Sequence, residues 1–327
     1  MSENSTPDAP DAPDAPQQPM PRPPRPMRHY AAAAITAALM ALVLGWLLYR
    51  ERAALAAIEL TRAWPRLLAG QAIMLITLVV AALVWASIMH ALGSRVARRD
   101  HIHIYASTFL SRYLPGTVWY VVGRSAFYKM EGDSARMVTL GSSIELLLST
   151  MAGALVALML AVVSSTQTPA LALPAMGLLV GLGVVALHPR VLAAIMARLH
   201  MSPLPPLRTS RLGLWLLADA LNWLLGGVIF WLIASEIDGV ALNQFAYTSL
   251  AWTLVGVLSV VVFVLPSNFG LTEVGLSLLL SAIMPSSLAV VVAVLTRVLM
   301  TIFSALACGM IVAATTLWRR QRAASAA

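Results

Sequence analysis

Six charged side chains lie inside or beside apolar stretches of the sequence, where a charge is expensive. Placing a carboxylate or a guanidinium at the centre of a membrane helix costs about 2.5–3.5 kcal/mol, so each one needs a partner or a function. The residues are Arg112, Arg124, Glu145, Asp219, Glu273 and Arg297. Guanidinium groups bind phosphate, and carboxylates balance arginines or bind cations. This pattern predicts a site for a charged ligand inside an apolar protein.

The order of these charges predicts an internal repeat, with copies near residues 102–163 and 244–318. Each copy has a proline that interrupts an apolar stretch, a charge seven or nine residues later, and the opposite charge thirty or thirty-one residues later. The residues are Pro115, Arg124 and Glu145 in the first copy and Pro266, Glu273 and Arg297 in the second. Repeats of this kind place substrate sites at their interface, with the N-termini of broken helices directed at anionic groups.

Two interpretations of the four repeat charges stay open. In the first, Arg124 pairs with Glu273 and Glu145 pairs with Arg297, or the crossed pairs form, and the charges only hold the helices together. In the second, the charges face a wet cavity and bind a ligand. Buried ion pairs stabilise proteins less than apolar packing does, and this favours the second interpretation.

Other polar residues give weaker signals. Asp219 is followed by Asn222 and Trp223 near one end of its predicted helix, where a satisfied polar anchor is as good an interpretation as a site. His101 and His103 are two residues apart, a spacing that places them on different faces of a helix, so we expect no metal site there. The sequence has no ATP-binding motif. We therefore expect no cofactor and no enzymatic activity, and transport that is passive or driven by an ion gradient.

The remaining sequence must supply the elements that position these charges, and its composition predicts a membrane protein. Of the 327 residues, 59% are hydrophobic and only 11% are charged, and the mean hydropathy is +0.81. A soluble domain with this composition could not cover its core with polar surface, whereas apolar helices of about 20 residues span a bilayer. We expect an all-α, polytopic integral membrane protein with about seven or eight transmembrane helices. The predicted spans are 31–49, 67–92, 137–163, 169–188, 212–235, 244–265 and 287–318.

Two further stretches predict broken or re-entrant segments. Residues 102–123 are interrupted by Leu114-Pro115-Gly116, and residues 268–284 are short for a span and follow Leu265-Pro266. Irregular backbone is tolerated at membrane depth only where protein or a wet cavity surrounds it. We therefore expect half-helices beside the predicted ligand site.

The chain divides into a tail, a membrane domain and a short end. Residues 1–29 are rich in proline and predict a disordered cytoplasmic tail, residues 30–320 form the membrane domain, and residues 321–327 are a short cytoplasmic tail. The only cysteine, Cys308, excludes a disulfide scaffold. The net charge of +8 comes from arginines at the ends of apolar segments, which argues against a nucleic-acid partner.

Loop charges orient the chain, because positive loops stay in the cytoplasm. Segments 93–103 and 188–211 carry net charges of +2 and +4, the C-terminal tail adds three arginines, and segment 236–243 carries −2. This places both termini in the cytoplasm and segment 236–243 outside, provided that residues 102–123 re-enter and residues 268–284 cross. An external segment 50–66, with a net charge of +2, fits only as an amphipathic helix in the membrane interface.

One stretch of the sequence resembles a known prokaryotic membrane family. Residues 111–124 read Ser-Arg-Tyr-Leu-Pro-Gly-Thr-Val-Trp-Tyr-Val-Val-Gly-Arg, and Glu145 follows in the next apolar helix. This is similar to the first signature of the flippase-like family, also called the lysylphosphatidylglycerol synthase transmembrane region. The second signature, a proline followed by Gly-x-x-Glu and a later intramembrane arginine, is matched by Pro266, Glu273 and Arg297. The likeness covers roughly residues 31–320.

The resemblance implies a protein of the cell inner membrane that binds and translocates a lipid or a lipid-linked headgroup. Members fused to a cytoplasmic aminoacyl-transferase domain modify phosphatidylglycerol, and their membrane part moves the product between leaflets. This chain ends at Ala327, so we expect no lysyl transfer by it. The implied headgroup site consists of Arg112, Pro115, Gly116, Arg124, Glu145, Pro266, Glu273 and Arg297.

Two alternatives belong to other functional classes. In the first, the chain transports nothing itself and is a membrane partner of a glycosyltransferase or of another envelope-lipid enzyme. Alternatively, it is an ion-coupled carrier of a small solute. The partner alternative predicts that loss of the partner, rather than removal of the intramembrane charges, abolishes function. The carrier alternative predicts solute uptake in liposomes without any effect on lipid.

Overall fold

The computed structural model describes residues 60–113, 119–164, 172–198, 209–261 and 271–326, together with positions 46, 49 and 52. These residues are almost entirely helical, and no strand occurs among them, so the all-α prediction is confirmed. The predicted tail, most of the predicted first span, and Pro115, Gly116 and Pro266 lie outside the described residues.

The helices are numbered here in chain order over the described residues. They are α1 (Leu60–Ala91), α2 (Arg98–Phe109), α3 (Trp119–Met130), α4 (Ala135–Val163), α5 (Ala172–Ala186), α6 (Pro189–Arg198), α7 (Thr209–Asp238), α8 (Phe245–Val261), α9 (Leu271–Leu280) and α10 (Ser286–Ala326). Short 3-10 turns cover Leu110–Tyr113 and Leu242–Gln244. Helix α1 begins seven residues before the predicted span, and α10 continues past the predicted end of the membrane domain.

Four helices, α1, α4, α7 and α10, are long and apolar enough to cross a membrane. They match the predicted spans 67–92, 137–163, 212–235 and 287–318. The chain is therefore a membrane protein. Helix α5 is apolar but has only 15 residues. The total of seven or eight spans and the internal repeat stay predictions.

One end of the helix bundle gathers arginine-rich segments. The Arg319 Nε atom donates a hydrogen bond to Asp100 Oδ1 at 2.9 Å, and the guanidinium of Arg99 lies 3.8 Å from the ring centre of Trp318. Leu187, just before α6, packs in the same apolar cluster as the end of α1. The segments that the charge pattern assigns to the cytoplasm therefore meet at one end of the molecule, called here the arginine-rich end.

The opposite end, called here the acidic end, joins the start of α1 to the end of α7. Arg66 and Glu236 form an ion pair between these two helices. Val240, in the loop after α7, packs in one cluster with Met284, just before α10. Helix α10 therefore starts at the acidic end and finishes at the arginine-rich end.

Helices α2 and α3 form a hairpin, called here the first hairpin, whose two ends both lie at the arginine-rich end. The His101 ring, near the start of α2, stacks on the Tyr128 ring near the end of α3, with ring centres 5.5 Å apart. Ser94, before α2, donates a hydrogen bond to Asp133, after α3, at 2.5 Å. This is the geometry that a re-entrant segment requires, since the chain leaves at the end where it entered.

Helices α8 and α9 form a second hairpin with both ends at the acidic end. The Tyr247 hydroxyl donates a hydrogen bond to the Leu279 carbonyl oxygen at 2.8 Å, and the Ser259 and Thr272 hydroxyls lie 3.1 Å apart. The early part of α8 thus pairs with the late part of α9, so the two helices run antiparallel. Helix α9 returns the chain to the end at which α8 began.

The long helix α4 has a clear local start. Gly132 has a φ of 86°, a left-handed conformation that suits glycine, and it ends the turn after α3. The Ser134 hydroxyl then accepts a hydrogen bond from the Met137 main-chain N–H at 3.2 Å and caps the helix. Glu145 follows ten residues into α4, about 15 Å along its axis.

Glycines allow one large side chain to sit between three helices. Trp223 of α7 packs against Gly153 of α4 and Gly256 of α8, and a Cβ atom at either glycine would fall within 3 Å of the indole. Gly226 and Gly227 of α7 are equally tight against α8, as expected for small residues in apolar helices. These contacts fix the wall of the cavity described below.

Candidate functional site

Glu145 is the centre of the candidate site. Its Oε1 atom accepts hydrogen bonds from Arg112 Nη2 at 2.6 Å and from the Tyr105 hydroxyl at 3.1 Å. Its Oε2 atom accepts one from Arg124 Nη1 at 2.5 Å. The first hairpin supplies Tyr105 and Arg124, the 3-10 turn after α2 supplies Arg112, and α4 supplies the carboxylate. The hairpin is therefore tied to α4 by charge as well as by packing.

Arg124 is held in an aromatic cage. Its side chain is 0% exposed, and its guanidinium carbon lies 4.1 Å from the ring centre of Trp85, 4.5 Å from that of Tyr105 and 5.0 Å from that of Tyr120. Aromatic faces attract cations most strongly where water is absent. Its Nε and Nη2 atoms make no hydrogen bond within the described part of the chain. The cage therefore replaces water around a fully buried positive charge.

Arg112 occupies a more open position. Its side chain is 32% exposed, and its guanidinium lies 4.6 Å from the Tyr120 ring centre and 5.1 Å from that of Phe109. Two guanidinium groups share the single Glu145 carboxylate, so the cluster of Arg112, Arg124 and Glu145 carries one net positive charge. Arg112 is the member of this cluster that brings the charge to accessible space.

That space is a cavity of about 350 Å³ between α1, α4, α7, α8 and α10, called here the central cavity. Most of its wall is apolar, with polar groups concentrated on a few side chains. They include Thr77, Arg112, Glu145, Ser149, Asp219 and Asn222. A mostly apolar pocket with a few converging polar groups is the usual form of a ligand site.

Asp219 and Asn222 are the functional candidates whose importance the sequence understates. They lie on one face of α7, three residues apart, and both line the central cavity. Asp219 is 6% exposed, and neither its Oδ2 atom nor the Asn222 Oδ1 atom has a hydrogen-bond partner in the described residues. The satisfied-anchor interpretation of Asp219 therefore does not fit this geometry. The sequence signal for this pair is an acidic residue that precedes an amide residue by one helical turn within an apolar helix.

The two predicted repeat charges of the second half form a pair of their own. Arg297 Nε of α10 lies 3.8 Å from Glu273 Oε1 of α9, with both side chains mostly buried. Together with the Arg124–Glu145 pair, this shows that the crossed pairing occurs, in which each charge binds the opposite charge of its own half. Of the four repeat charges, Glu145 is the member that lines the central cavity among the described residues.

The two histidines near the start of α2 point to different neighbours. The His101 ring contacts the Tyr128 hydroxyl of α3, and His103 Nδ1 lies 2.8 Å from the Thr315 hydroxyl of α10. The prediction that they lie on different faces is confirmed. Among the described residues, no group of three or more histidine, cysteine, aspartate or glutamate side chains is close enough to hold a metal ion.

A second space, called here the apolar groove, lies beside the central cavity. It measures about 230 Å³ and runs between α1, α7 and α10, with Leu67, Leu299 and Phe303 among its lining residues. The Arg66–Glu236 ion pair lies at its acidic end. Ile229 lines both the groove and the central cavity, so the two spaces adjoin at this side chain.

Comparisons of this chain with models of known protein families, with curated proteins and with solved structures find no match.

Proposed function

We propose that this protein binds and translocates a lipid or a lipid-linked headgroup in the cell inner membrane. The observation that carries the proposal is the cluster of Arg112, Arg124 and Glu145, which presents one net positive charge to a cavity inside a helix bundle. A phosphate group in an apolar surrounding needs such a charge, and guanidinium groups bind it with charge-assisted hydrogen bonds.

Arg112 is the residue that meets the headgroup in this proposal. It is partly exposed, and a guanidinium group carries five N–H donors, so it has donor capacity beyond its bond to Glu145. Arg124 stays in its cage and keeps Glu145 from cancelling the charge of Arg112. Pro115, Gly116 and Pro266, which the motif resemblance adds to the headgroup site, lie outside the described residues and stay predictions.

The apolar groove gives the acyl chains of the same lipid a place beside the headgroup. Its lining is apolar over most of its length, and it shares the lining residue Ile229 with the central cavity. A polar headgroup and an apolar chain could therefore occupy adjacent spaces. This division of polar and apolar space supports a lipid as the ligand over a small polar solute.

The two hairpins support the predicted repeat and a translocation mechanism. The first hairpin has its ends at the arginine-rich end, and the second has its ends at the acidic end. Each hairpin is followed by a long helix whose buried charge pairs with a charge of that hairpin, Glu145 in α4 and Arg297 in α10. We infer an inverted repeat with a site near mid-depth, an arrangement in which one half can rock against the other.

The proposed orientation has both termini in the cytoplasm, with the arginine-rich end facing the cytoplasm as the positive-inside rule requires. The resemblance of residues 111–124 to the flippase-like family supports a lipid substrate in this proposal. A partner enzyme that makes or consumes the lipid on one side of the membrane would fit this activity.

The test is lipid transfer between leaflets of proteoliposomes that contain the purified protein. We expect the wild-type protein to equilibrate a fluorescent anionic phospholipid and the Arg112→Gln variant to lose at least nine-tenths of that activity, since a loss of about 1.4 kcal/mol in binding is tenfold. Arg211→Gln changes an exposed arginine of α7 and is the matched control, with wild-type activity expected.

Three results would reject the proposal. Transfer that is equal in wild-type and Arg112→Gln proteoliposomes would remove Arg112 from the mechanism. Uptake of a water-soluble solute without lipid transfer would favour the ion-coupled carrier, an alternative that the position of Asp219 in the cavity also supports. A wild-type protein that transfers no lipid in proteoliposomes, together with an Arg112→Gln variant that still restores function in cells, would favour the non-transporting partner.

A further inference from the structure

Asp219 is a buried carboxyl group whose surroundings do not satisfy it as an anion. It is 6% exposed and lines the central cavity, and its Oδ2 atom accepts no hydrogen bond within the described part of the chain. The Asn222 Oδ1 atom, on the same face of α7, has no donor there either. Two acceptor atoms thus share one side of the cavity, and a buried acceptor without a donor is costly.

No arginine of the described residues forms an ion pair with Asp219, because the nearby guanidinium groups bind Glu145. Helix α4 contributes Glu145, which is also negative. The first hairpin region contributes Arg112 and Tyr105, both of which already hydrogen bond to Glu145, and Tyr120, whose ring packs against the Arg112 guanidinium. The cavity-lining residues that α1, α8 and α10 direct toward α7 include Thr77, Trp252 and Ser304, and none of the described ones from these helices is titratable. Asp219 faces a second carboxylate without an arginine of its own.

Protonation of the Asp219 carboxyl group would remove its negative charge and supply a hydrogen-bond donor. A protonated carboxyl group carries no charge and gains one O–H donor, while it keeps acceptor capacity. The new donor has acceptors close by, because Asn222 lies on the same helix face three residues later. The repulsion from Glu145 disappears at the same time. A bound metal ion fits less well, since Asp219 and Glu145 are the only carboxylates among the described residues that line the cavity.

We propose that Asp219 is a proton-binding site that faces the central cavity and exchanges its proton with the cavity water. The charge of the cavity then depends on this one proton. With Asp219 protonated, the groups of the cavity carry the net positive charge of the arginine cluster. With Asp219 ionised, they carry none.

This switch gives the proposed lipid function an ion coupling, and that consequence depends on the proposed function. An anionic headgroup binds better to a cavity with a net positive charge, so it should bind together with a proton at Asp219. By linkage, a proton bound at Asp219 raises the affinity for the anion by the same factor that the anion raises the affinity for the proton. A proton gradient could then drive the movement of the lipid.

Infrared spectroscopy of the purified full-length protein in detergent tests the proton site without any transport assay. A protonated carboxyl group has a carbonyl-stretch band that an ionised carboxylate lacks. We expect this band in the wild-type protein at neutral pH, a shift of the band in heavy water because the proton exchanges, and its loss in the Asp219→Asn variant. Glu131→Gln changes an exposed carboxylate after α3 and is the matched control, with the band retained.

Several outcomes would overturn the proton site. They are a wild-type protein without the band, a band that Asp219→Asn does not remove, and a band that does not shift in heavy water. A carboxylate band that responds to replacing sodium chloride with choline chloride, with no carboxylic acid band, would instead identify a sodium site. Asp219→Asn keeps the size and the neutral state of the protonated side chain, so it should fold, and its melting temperature verifies this.

A second arm separates the proton site from the lipid proposal. Titrating a short-chain phosphatidylglycerol into the wild-type protein at mildly alkaline pH should increase the carboxylic acid band. The same titration with a short-chain phosphatidylcholine is the comparison for net lipid charge. A band that is present but unchanged by the anionic lipid would support the proton site and count against the lipid function.

Discussion

The indole nitrogen of Trp223 donates a hydrogen bond to the main-chain carbonyl oxygen of Ser149 at 2.8 Å, which joins α7 to α4 across 74 residues of sequence. Both residues line the central cavity. A change that moves this indole should therefore alter the cavity as well as the stability of the bundle.

Gly256→Ala should move it. A Cβ atom at this position would lie 2.6 Å from Trp223 Cζ3 and 2.7 Å from Cη2, so the ring must shift or the helices must separate. Such overpacking costs about 1–3 kcal/mol, and we expect a lower melting temperature in detergent. Gly177→Ala is the control, because no atom lies within 4 Å of its Cβ position and alanine favours a helix. An unchanged melting temperature in Gly256→Ala would show that the two helices are not closely packed there.

The arginine cluster predicts an order of mutational effects. Glu145→Gln should destabilise the protein most, by about 3–5 kcal/mol, because it leaves Arg124 fully buried without a counter-ion. Arg124→Gln should cost less, since Arg112 still neutralises Glu145, and Arg112→Gln should cost least because Arg112 is partly exposed. Melting temperatures of the three variants test this order.

The double variant Glu145→Gln with Arg124→Gln should recover much of the stability lost in Glu145→Gln, because it removes both charges of the buried pair. Coupling of this kind is measured by a double-mutant cycle. A double variant that melts at as low a temperature as Glu145→Gln would contradict the coupling of Arg124 with Glu145.

His101 predicts that the protein loses stability in acid. Burial lowers the pKa of His101 from its ordinary value of 6.5 to about 4, although Asp133 and Asp100 raise it and His90 lowers it further. The folded protein therefore keeps His101 neutral where the unfolded chain binds a proton. The free energy of unfolding is therefore at its full value, as far as His101 is concerned, above about pH 6.5. It decreases as the pH falls toward 4, by up to about 3 kcal/mol.

Melting temperatures from about pH 8 to about pH 5, the range in which histidine usually titrates, measure this effect. His101→Gln should show a smaller decrease in this range than the wild-type protein, and His188→Gln, which changes an exposed histidine, should show the wild-type decrease. Equal decreases in all three proteins would contradict the assignment.

The orientation of the bundle predicts which loops react from outside the cell. In a Cys308→Ser background, Asn243→Cys at the acidic end should react with a membrane-impermeant maleimide on intact cells, whereas Glu131→Cys at the arginine-rich end should react only after the cells are opened. Both positions are exposed. The reverse pattern would invert the proposed topology.

The sequence predicted the long helices and their grouping, since apolar length and loop charge depend on local composition. It also placed the helix break near Pro115, because a polar turn and a proline interrupt the apolar pattern there. The structure has a 3-10 turn at Leu110–Tyr113, immediately before residues 114–118. Each of these features depends on the composition of a single segment, so it can be predicted without knowing which other segments that one contacts.

The contacts between segments could not be predicted in the same way. The sequence left open whether Arg124 pairs with Glu273 or with Glu145, because charge and spacing allow both, and only the path of the first hairpin decides. The aromatic cage around Arg124 draws Trp85 from α1, Tyr105 from α2 and Tyr120 from α3. The importance of Asp219 was underestimated for a similar reason. Whether its carboxyl group has a hydrogen-bond partner depends on the side chains of four surrounding helices.

The caged position of Arg124 has a consequence for how quickly the site can respond to a ligand. Its guanidinium is held by three rings and one carboxylate, so its electric field is preorganised and points into the cluster before any ligand arrives. Fixed charges of this kind require almost no reorganisation energy when an anion enters, in contrast to water dipoles, which must turn. In the proposed function, the partly exposed Arg112 is then the arginine of the cluster that adjusts to an entering anion, because Arg124 is already held in the folded protein.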